Sequence, residues 1–182
     1  MGYPTGLATT TLAADEPLVE LCGREGYPVY RGDRDDVLGR ILLTAHAAQA
    51  DVIVRVTGDC PLFAPDVGRR VVDAYLASEL DPEYRLVTND TTRSGYPDGL
   101  DVEVFSLALA SLTHVQAADE SDLNRRAHDL EHVTPWMRRT RPHDVITLES
   151  EDWRQTKISV DDEDDFERIR RVFGALHGPD LS

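Results

Sequence analysis

Apolar positions along the chain follow two different periods. Runs of β-branched and other apolar residues predict strands at Leu7–Thr11, Val29–Arg31, Val52–Thr57, Arg85–Asn89, Leu100–Phe105, Val145–Glu149 and Ile158–Val160. Between these runs, apolar residues recur at helical spacing in segments 37–45, 67–76, 107–115, 123–130 and 166–176. Strands that alternate with helices are typical of a parallel sheet covered on both faces. The pattern therefore predicts an α/β protein with a three-layer, mostly parallel sheet.

The length and the connecting segments favour a single domain over residues 1–182. A chain of 182 residues is the size of one ordinary domain. Such a chain buries roughly 70% of the surface that its unfolded form exposes, so it folds without disulfides or a structural metal. The stretch 81–99 is rich in Asp, Asn, Thr, Gly and Pro. We expect it to form a loop around one short strand, where ligand contacts concentrate.

Charge and composition exclude several classes of partner. The chain has 19 Lys+Arg against 34 Asp+Glu, a formal net charge of -15, which argues against binding a nucleic-acid polymer or an anionic membrane. Its two cysteines, Cys22 and Cys60, have neither the density of a disulfide scaffold nor the spacing of a C-x-x-C pair. The sequence has no apolar run of membrane-spanning length and no signal-peptide pattern at its start. We therefore expect a soluble, cytoplasmic protein.

Two acidic residues that follow predicted strands are candidate metal ligands. Asp59 lies on a Gly-Asp turn after the strand Val52–Thr57, and Asp161 follows the strand Ile158–Val160. Ligands of open α/β sheets bind outside the carboxyl ends of the strands, so two neighbouring acids there favour a shared Mg²⁺. The alternatives are structural, because Asp59 suits the capping of its own turn and the acids after Asp161 suit the first turn of a helix.

Two further polar segments each leave two interpretations open. In Tyr96–Phe105, a Pro-Asp-Gly turn leads into a strand on which Asp101 and Glu103 share one face, which suits either a polyhydroxylated ligand or a half-exposed edge strand. In Arg31–Arg40, three arginines flank the start of a helix. This arrangement favours either a bound nucleotide or sugar phosphate, or local pairing with the aspartates of the same segment.

One short motif predicts a different chemistry. His128-Asp-Leu-Glu-His132 matches the H-x-x-E-H pattern of a group of zinc peptidases, with both histidines on one helical face. Pro135 ends this helix three residues later, and the remaining chain is short for a third ligand and a substrate cleft. Because a pattern of this length also arises by chance, the zinc peptidase is kept only as an alternative.

Taken together and in this order, six blocks of the sequence resemble the cytidylyltransferase-like family named for spore-coat polysaccharide biosynthesis, relatives of the CMP-sugar-acid synthetases. The blocks are Ala8–Leu12 with Asp15–Leu18, Arg31-Gly32 with Asp35–Leu38, Thr57–Leu62, Tyr96–Glu103, Glu131–Pro135, and Val160-Asp161 with Glu163–Glu167. Each block is weak by itself, whereas six in order are specific. The resemblance covers most of the chain.

The resemblance implies a nucleotide-diphospho-sugar transferase fold of the GT-A-like type and the transfer of CMP from CTP to a sugar or sugar acid. Asp59 and Asp161 would act as catalytic residues that hold Mg²⁺. The residues near the nucleotide would be Arg31, Asp35, Asp36 and Arg40. The acceptor side would be lined by Asp98, Gly99, Asp101, Glu103, Glu131 and His132. Relatives of this kind are commonly homodimers, so we also expect a homodimer.

The sequence departs from the family pattern in two ways. It starts roughly where the second strand of the family starts, so we expect the first strand and its triphosphate-binding loop to be missing from this polypeptide. Leu130 stands where an Arg is common. A missing central strand would leave neighbouring strands unpaired. We therefore expect impaired transfer by this chain, and the alternative is a non-catalytic sugar-binding or subunit protein that retains the acceptor half of the fold.

Overall fold

The computed structural model describes residues 3–89, 91–149 and 152–177. The chain divides into two compact units. The first unit comprises Met1–Ile53, Asp81–Arg85 and Phe105–Pro142, and the second comprises Val54–Leu80, Leu86–Val104 and His143–Ser182. The interpretation of residues 1–182 as one domain stays a prediction.

Strands and helices alternate along most of the chain, as the apolar pattern predicts. The strands are β1 (Leu7–Thr10), β2 (Val29–Gly32), β3 (Val52–Arg55), β4 (Leu86–Thr88), β5 (Glu103–Ser106) and β6 (Asp144–Val145). The α-helices are α1 (Glu16–Glu25), α2 (Val37–Ala47), α3 (Pro65–Ala77), α4 (Thr91–Ser94), α5 (Leu107–Ala118), α6 (Leu123–His132), α7 (Pro135–Thr140) and α8 (Glu163–His177). Two 3₁₀ turns lie at Ala13–Asp15 and Pro82–Tyr84. Among the described residues, no helix has the length and apolar character needed to cross a membrane.

The first unit contains a pair of parallel strands and a group of helices that contact one another. β1 and β2 pair in parallel register from Leu7 opposite Val29 onward. The helices α2, α5 and α6 contact one another. Polar side chains fix where two of these helices begin, because Asp36 accepts a hydrogen bond from the amide of Gly39 and caps α2, and Ser106 caps α5.

The second unit contains most of a four-stranded sheet in the order β3-β5-β4-β6. β4 and β6 pair in parallel. Helix α3 contacts β4, and buried apolar residues from α3 and from the sheet region form one core cluster: Val71, Val72, Tyr75, Val87, Val102 and Val104. This burial holds in place the loops that follow the strands.

The central strand pair of this sheet runs in opposite directions. The amide of Asn89 donates to the carbonyl oxygen of Val102 at 3.3 Å. At the other end of the pair, the amide of Ser106 donates to the carbonyl oxygen of Arg85 at 3.2 Å. Residue numbers rise along β4 while those of the bonded residues in β5 fall. The two strands are therefore antiparallel, and the sheet is mixed.

The predicted strand Ile158–Val160 is wrong, since the structure has only an isolated bridge between Asp98 and Lys157 there. The physical reason is that this segment divides its hydrogen bonds between two loops. The amide of Ile158 donates to the carbonyl oxygen of Asp98, whereas the amide of Val160 donates to that of Asp59. A strand ladder needs successive bonds to one partner strand.

Candidate functional site

The turn after β3 presents Asp59 at the surface. The amide of Cys60 donates to the carbonyl oxygen of Thr57 at 3.3 Å and closes the turn. Asp59 is exposed, while Cys60 beside it is buried. Among the described residues, the Asp59 carboxylate accepts from the Cys60 thiol at 3.5 Å and from no backbone amide. Asp59 therefore does not cap its own turn through its side chain, and one of the two interpretations of this residue is excluded.

The alkylation rate of the Cys60 thiol tests whether this residue is buried. Burial raises the pKa of Cys60 from 9.0 to about 11. We expect iodoacetamide to alkylate Cys60 about 100-fold more slowly in the folded protein than in urea at pH 8, because the thiolate fraction falls tenfold per pKa unit. The folded chain favours the thiol over the thiolate, so this contribution to stability is complete below pH 9 and is lost as the pH rises towards 11.

The measurement uses the Cys22→Ser variant, which leaves Cys60 as the sole thiol. Mass spectrometry of the alkylated fraction gives the rate at each pH. A rate that rises until about pH 11 agrees with the burial of this thiol. A rate that levels off near pH 9 in the folded protein contradicts it.

A backbone hydrogen bond joins the segments that carry the two candidate metal ligands. The carbonyl oxygen of Asp59 accepts from the amide of Val160 at 2.8 Å. Asp161 is the next residue after Val160. The structure therefore brings the two predicted acids onto neighbouring segments of the second unit, even though the segment that ends in Asp161 is not a strand.

The Asp161 carboxylate lies beside a cation. The ammonium nitrogen of Lys157 is 2.6 Å from Oδ2 of Asp161, whose side chain is 59% exposed. Lys157 also bonds Asp165, and the hydrogen bonds to the two carboxylates raise the pKa of its ammonium group. Lys157 therefore neutralises part of the acidic charge at this position.

Asp165 organises the loop around Asp161, a role that the sequence pattern did not reveal. Its side chain is 6% exposed, and it accepts from the amide of Asp161 at 3.1 Å and from the guanidinium of Arg168 at 2.6 Å. Hydrogen bonds from Lys157 and from the Asp161 amide lower the pKa of Asp165. The first turn of α8 is therefore tied to the segment that precedes it.

Asp98 and Gly99, predicted to bind the acceptor, lie against the same segment. The hydroxyl of Ser159 donates to Oδ2 of Asp98 at 3.0 Å, and the amide of Ile158 donates to the Asp98 carbonyl oxygen at 2.7 Å. Gly99 has φ +107°. The carboxylate of Asp101 accepts from the Gly99 amide at 3.1 Å. The segments of Asp59, Asp98 and Asp161 thus meet along residues 156–161.

Glu103 belongs to a buried ion pair. Its carboxylate lies 2.5 Å from the guanidinium of Arg55, and the two side chains are 8% and 18% exposed respectively. All four residues of β5 are buried, and β5 lies between β3 and β4. The interpretation of this segment as a half-exposed edge strand is therefore wrong, because both of its edges are paired. The role of Glu103 in binding an acceptor stays a prediction.

The guanidinium group of Arg31, predicted to lie near the nucleotide, is bonded within the first unit. Its Nε donates to the carbonyl oxygen of Thr10 at 2.8 Å, and its Nη1 lies 2.7 Å from the carboxylate of Glu16. Its Nη2 donates to the Leu12 carbonyl oxygen. Arg31 thus links β2 to the end of β1 and to α1.

The other predicted nucleotide-binding residues of the segment Arg31–Arg40 also contact residues of this chain. Nη1 of Arg40 donates to the carbonyl oxygens of Asp33 and Arg34 at 2.6 and 2.7 Å, whereas its buried Nε has no partner among the described residues. Asp36 lies 2.7 Å from the His114 ring. Asp35 is exposed and is 3.7 Å from the guanidinium of Arg34. Local bonding is thus observed, and the role of these residues towards a nucleotide stays a prediction.

Glu131 and His132 are exposed near the end of α6. The rings of His128 and His132 have centroids 4.5 Å apart. In the described part of the chain, no three or more His, Cys, Asp or Glu side chains form a group that could hold a metal ion. The zinc motif therefore gains no support from the structure, and the part of Glu131 and His132 in acceptor binding stays a prediction.

Comparisons of sequence identify similar proteins in two organisms. The uncharacterized protein MJ1063 of Methanocaldococcus jannaschii is 32% identical over 131 residues, covering 72% of this chain and 48% of that protein. The spore coat polysaccharide biosynthesis protein SpsF of Bacillus subtilis is 28% identical over 182 residues, covering 97% of this chain and 70% of that protein. This chain thus spans about half the length of the first relative. No family model matches it.

A solved structure has the same fold. It is a cytidylyltransferase from Leptospira borgpetersenii serovar Hardjo-bovis, which superposes with a TM-score of 0.77 at 24% identity and covers 91% of this chain and 66% of its own. The chain therefore has the α/β fold of this cytidylyltransferase structure, which agrees with the predicted fold class. The similarity to SpsF and to this structure supports the resemblance, predicted from the motif blocks, to the cytidylyltransferase-like family of spore coat polysaccharide biosynthesis.

Proposed function

We propose that this chain is a Mg²⁺-dependent cytidylyltransferase that makes activated sugars for polysaccharide synthesis. In the reaction, a hydroxyl oxygen of a sugar or sugar acid bonds to the α-phosphorus of CTP. The bond from that phosphorus to the oxygen bridging to the β-phosphate breaks and the hydroxyl proton passes to water, so CMP-sugar forms and pyrophosphate leaves. The observation that carries the proposal is the hydrogen bond between Asp59 and Val160, because it sets the backbone of Asp59 beside that of Asp161.

The donors at this position suit a magnesium ion. Asp59 is exposed and pairs with no cation among the described residues, and Asp161 is 59% exposed. Carboxylate oxygens are the protein ligands that Mg²⁺ prefers, and Mg²⁺ usually takes one or two of them besides substrate phosphates. Bound there, the ion would neutralise phosphate charge during the transfer. The ammonium nitrogen of Lys157 lies 2.6 Å from the Asp161 carboxylate.

A second function has one observation in its favour. The guanidinium group of Arg31 is bonded within the chain through all three of its nitrogens, and that of Arg40 is bonded through Nη1. This favours a non-catalytic sugar-binding or subunit protein over an enzyme that holds a triphosphate with these arginines. Thermal unfolding separates the two functions, because a ligand that binds only the folded state raises Tm. Stabilisation by CTP with Mg²⁺ supports the transferase, whereas stabilisation by a sugar acid together with none by CTP and Mg²⁺ supports the binding protein.

The replacement Asp59→Asn tests the metal-binding role directly. We expect it to reduce pyrophosphate release from CTP by about 100-fold, because it removes a negative ligand of the ion that offsets the phosphate charge. The assay contains CTP, Mg²⁺ and a panel of sugar acids. Binding of Mn²⁺, measured by water proton relaxation, is expected to weaken in parallel.

The matched control is Asp73→Asn, which removes an exposed aspartate from α3. We expect this variant to keep the activity and the Mn²⁺ affinity of the parent chain. Full activity of Asp59→Asn would contradict the assignment of this carboxylate. The homodimer and the cytoplasmic location remain proposals, and sedimentation of the purified chain tests the first of them.

A further inference from the structure

Two exposed histidines of the first unit lie next to each other on α6. His128 and His132 are four positions apart, so their side chains share one face of the helix. The side chain of His128 is 57% exposed, and His132 is exposed as well. The centroids of the two rings are 4.5 Å apart. Neither ring belongs to the proposed magnesium position at Asp59 and Asp161.

The spacing of the two rings suits the binding of one metal ion by both of them. A zinc ion lies about 2.0–2.1 Å from each imidazole nitrogen that binds it, and common geometries place two such nitrogens about 90–110° apart around the ion. Two rings held in this way have centroids about 4.5–5 Å apart. The observed separation of 4.5 Å falls at the lower end of that range. Binding of one ion by both rings therefore requires rotation of the side chains and no movement of the helix backbone.

The ring nitrogens of the pair are available to a metal ion. Nδ1 of His128 lies 3.9 Å from Oδ1 of Asp129, which is too far for a hydrogen bond. In the described part of the chain, the ring of His132 contacts that of His128 and forms no hydrogen bond. Asp129 is not a further ligand, because both of its oxygens accept from the guanidinium of Arg139. The pair therefore offers two imidazole ligands.

The position of the pair on the helix favours a cation. His132 is the last residue of α6, where the helix dipole is equivalent to about half a negative charge. Glu131 is exposed beside it, and the whole chain has a formal net charge of -15. Imidazole binds late first-row ions such as Zn²⁺, Ni²⁺ and Cu²⁺, whereas Mg²⁺ prefers oxygen ligands. An ion bound here therefore differs in kind from the one proposed at Asp59.

We propose that His128 and His132 together bind one divalent ion of the late first-row transition metals, with water in the remaining coordination positions. The site differs from that of the zinc peptidases, in which three protein ligands hold the ion. Its water molecules leave positions at which an external ligand can bind the ion. The ion also connects two successive turns of α6, so its binding stabilises the folded state. The site does not depend on the proposed transfer reaction.

Calorimetric titration of the untagged chain with Zn²⁺, and separately with Ni²⁺, measures the binding. The buffer contains millimolar Mg²⁺, which competes for carboxylate oxygens but not for imidazole. We expect one ion per chain with Kd of about 10 µM, weaker than at structural zinc sites because only two protein side chains hold the ion. Saturation is expected to raise Tm. If neither ion binds saturably below about 1 mM, the proposal is overturned.

Substitutions show whether both rings hold the same ion. His128→Ala and His132→Ala are each expected to weaken Zn²⁺ binding at least tenfold, and the double variant little further, because one imidazole alone binds the ion weakly. The matched control is His46→Ala, which removes an exposed histidine from the last turn of α2 and is expected to leave Kd unchanged. Single variants that keep the parent Kd would overturn the proposal, and so would an equal loss in His46→Ala.

A second measurement needs no substitution. Ni²⁺ is paramagnetic and broadens the NMR signals of the ring protons nearest to it. Of the six histidines in the chain, His128 and His132 are expected to lose their ring signals together and at the lowest Ni²⁺ concentration. Loss of the signals of another histidine first, or of only one of these two, would overturn the proposal.

Discussion

Replacement of Arg139 by methionine is expected to lower the free energy of unfolding by about 4 kcal/mol, because it leaves a buried carboxylate without its cation. Asp129 in α6 is fully buried, and both of its oxygens accept hydrogen bonds from the guanidinium of Arg139 in α7. Methionine keeps most of the length of the side chain, so the change removes the charge with little loss of packing. Urea unfolding followed by circular dichroism measures the difference.

Three comparisons separate this effect from a general weakening of the helices. Asp129→Asn is expected to cost less, about 2 kcal/mol, because the guanidinium is 37% exposed and reaches water. The double replacement Asp129→Leu with Arg139→Met is expected to recover most of the loss. Arg125→Met removes a largely exposed arginine from α6 and is expected to cost less than about 1 kcal/mol. Equal losses for Arg125→Met and Arg139→Met would contradict the argument.

The order of strands and helices was largely predictable, because burial imposes a period on the sequence. The exceptions have local causes. β5 begins at Glu103 rather than Leu100, because the side chain of Asn89 bonds the backbone of Leu100 and Val102 in place of a strand partner. Helix α1 was not predicted, and its Leu18 and Leu21 are exposed. Because α1 buries few of its apolar residues, its sequence shows little helical periodicity of apolar positions.

The sequence pattern predicted that the segments of Asp59 and Asp161 lie close together, but it did not predict the residues that contact them. Asp59 follows β3, as the rule that ligands bind beyond the ends of strands requires, whereas no strand precedes Asp161. The two segments nevertheless meet, because the amide of Val160 donates to the carbonyl oxygen of Asp59. The partner of Asp161 is Lys157, and both depend on the buried Asp165. These contacts lie in a loop, and loop residues show no repeating apolar pattern from which their contacts could be predicted. A run of acids before a helix predicts capping equally well, so the pattern could not distinguish Asp165 from its neighbours.

The contacts of the arginines in the segment Arg31–Arg40 could not be predicted from the sequence either. The start of α2 gave a choice between phosphate binding and pairing with nearby aspartates, and Arg31 instead bonds Glu16, fifteen positions earlier in the chain. That contact exists because β1 and β2 pair in parallel and bring α1 close to the end of β2. Ion pairs between elements require the tertiary fold before they can be assigned.

Replacement of Gly99 by alanine is expected to disrupt the candidate site and the second unit together. Gly99 has φ +107°, and a Cβ there would lie 2.6 Å from the amide nitrogen of Ser159 and 2.7 Å from the carbonyl carbon of Ile158. Both contacts are to backbone, so no change of rotamer relieves them. We expect a loss of about 3 kcal/mol in the free energy of unfolding, from strain at positive φ together with displacement of residues 158 and 159.

The displaced segment is the one that places the acids. Ile158 and Ser159 bond Asp98, and Val160 bonds Asp59, so moving this backbone separates the groups that the proposed function brings together. Mn²⁺ binding is therefore expected to weaken at least tenfold in Gly99→Ala. The control is Gly58→Ala, which adds a Cβ next to Asp59 but meets no atom within 4 Å, so its stability and Mn²⁺ affinity are expected to stay near those of the parent. If Gly99→Ala lost stability but kept its Mn²⁺ affinity, the backbone of residues 158–160 would not be what positions the ligands, and Asp59 and Asp161 would have to be held by their side-chain contacts alone.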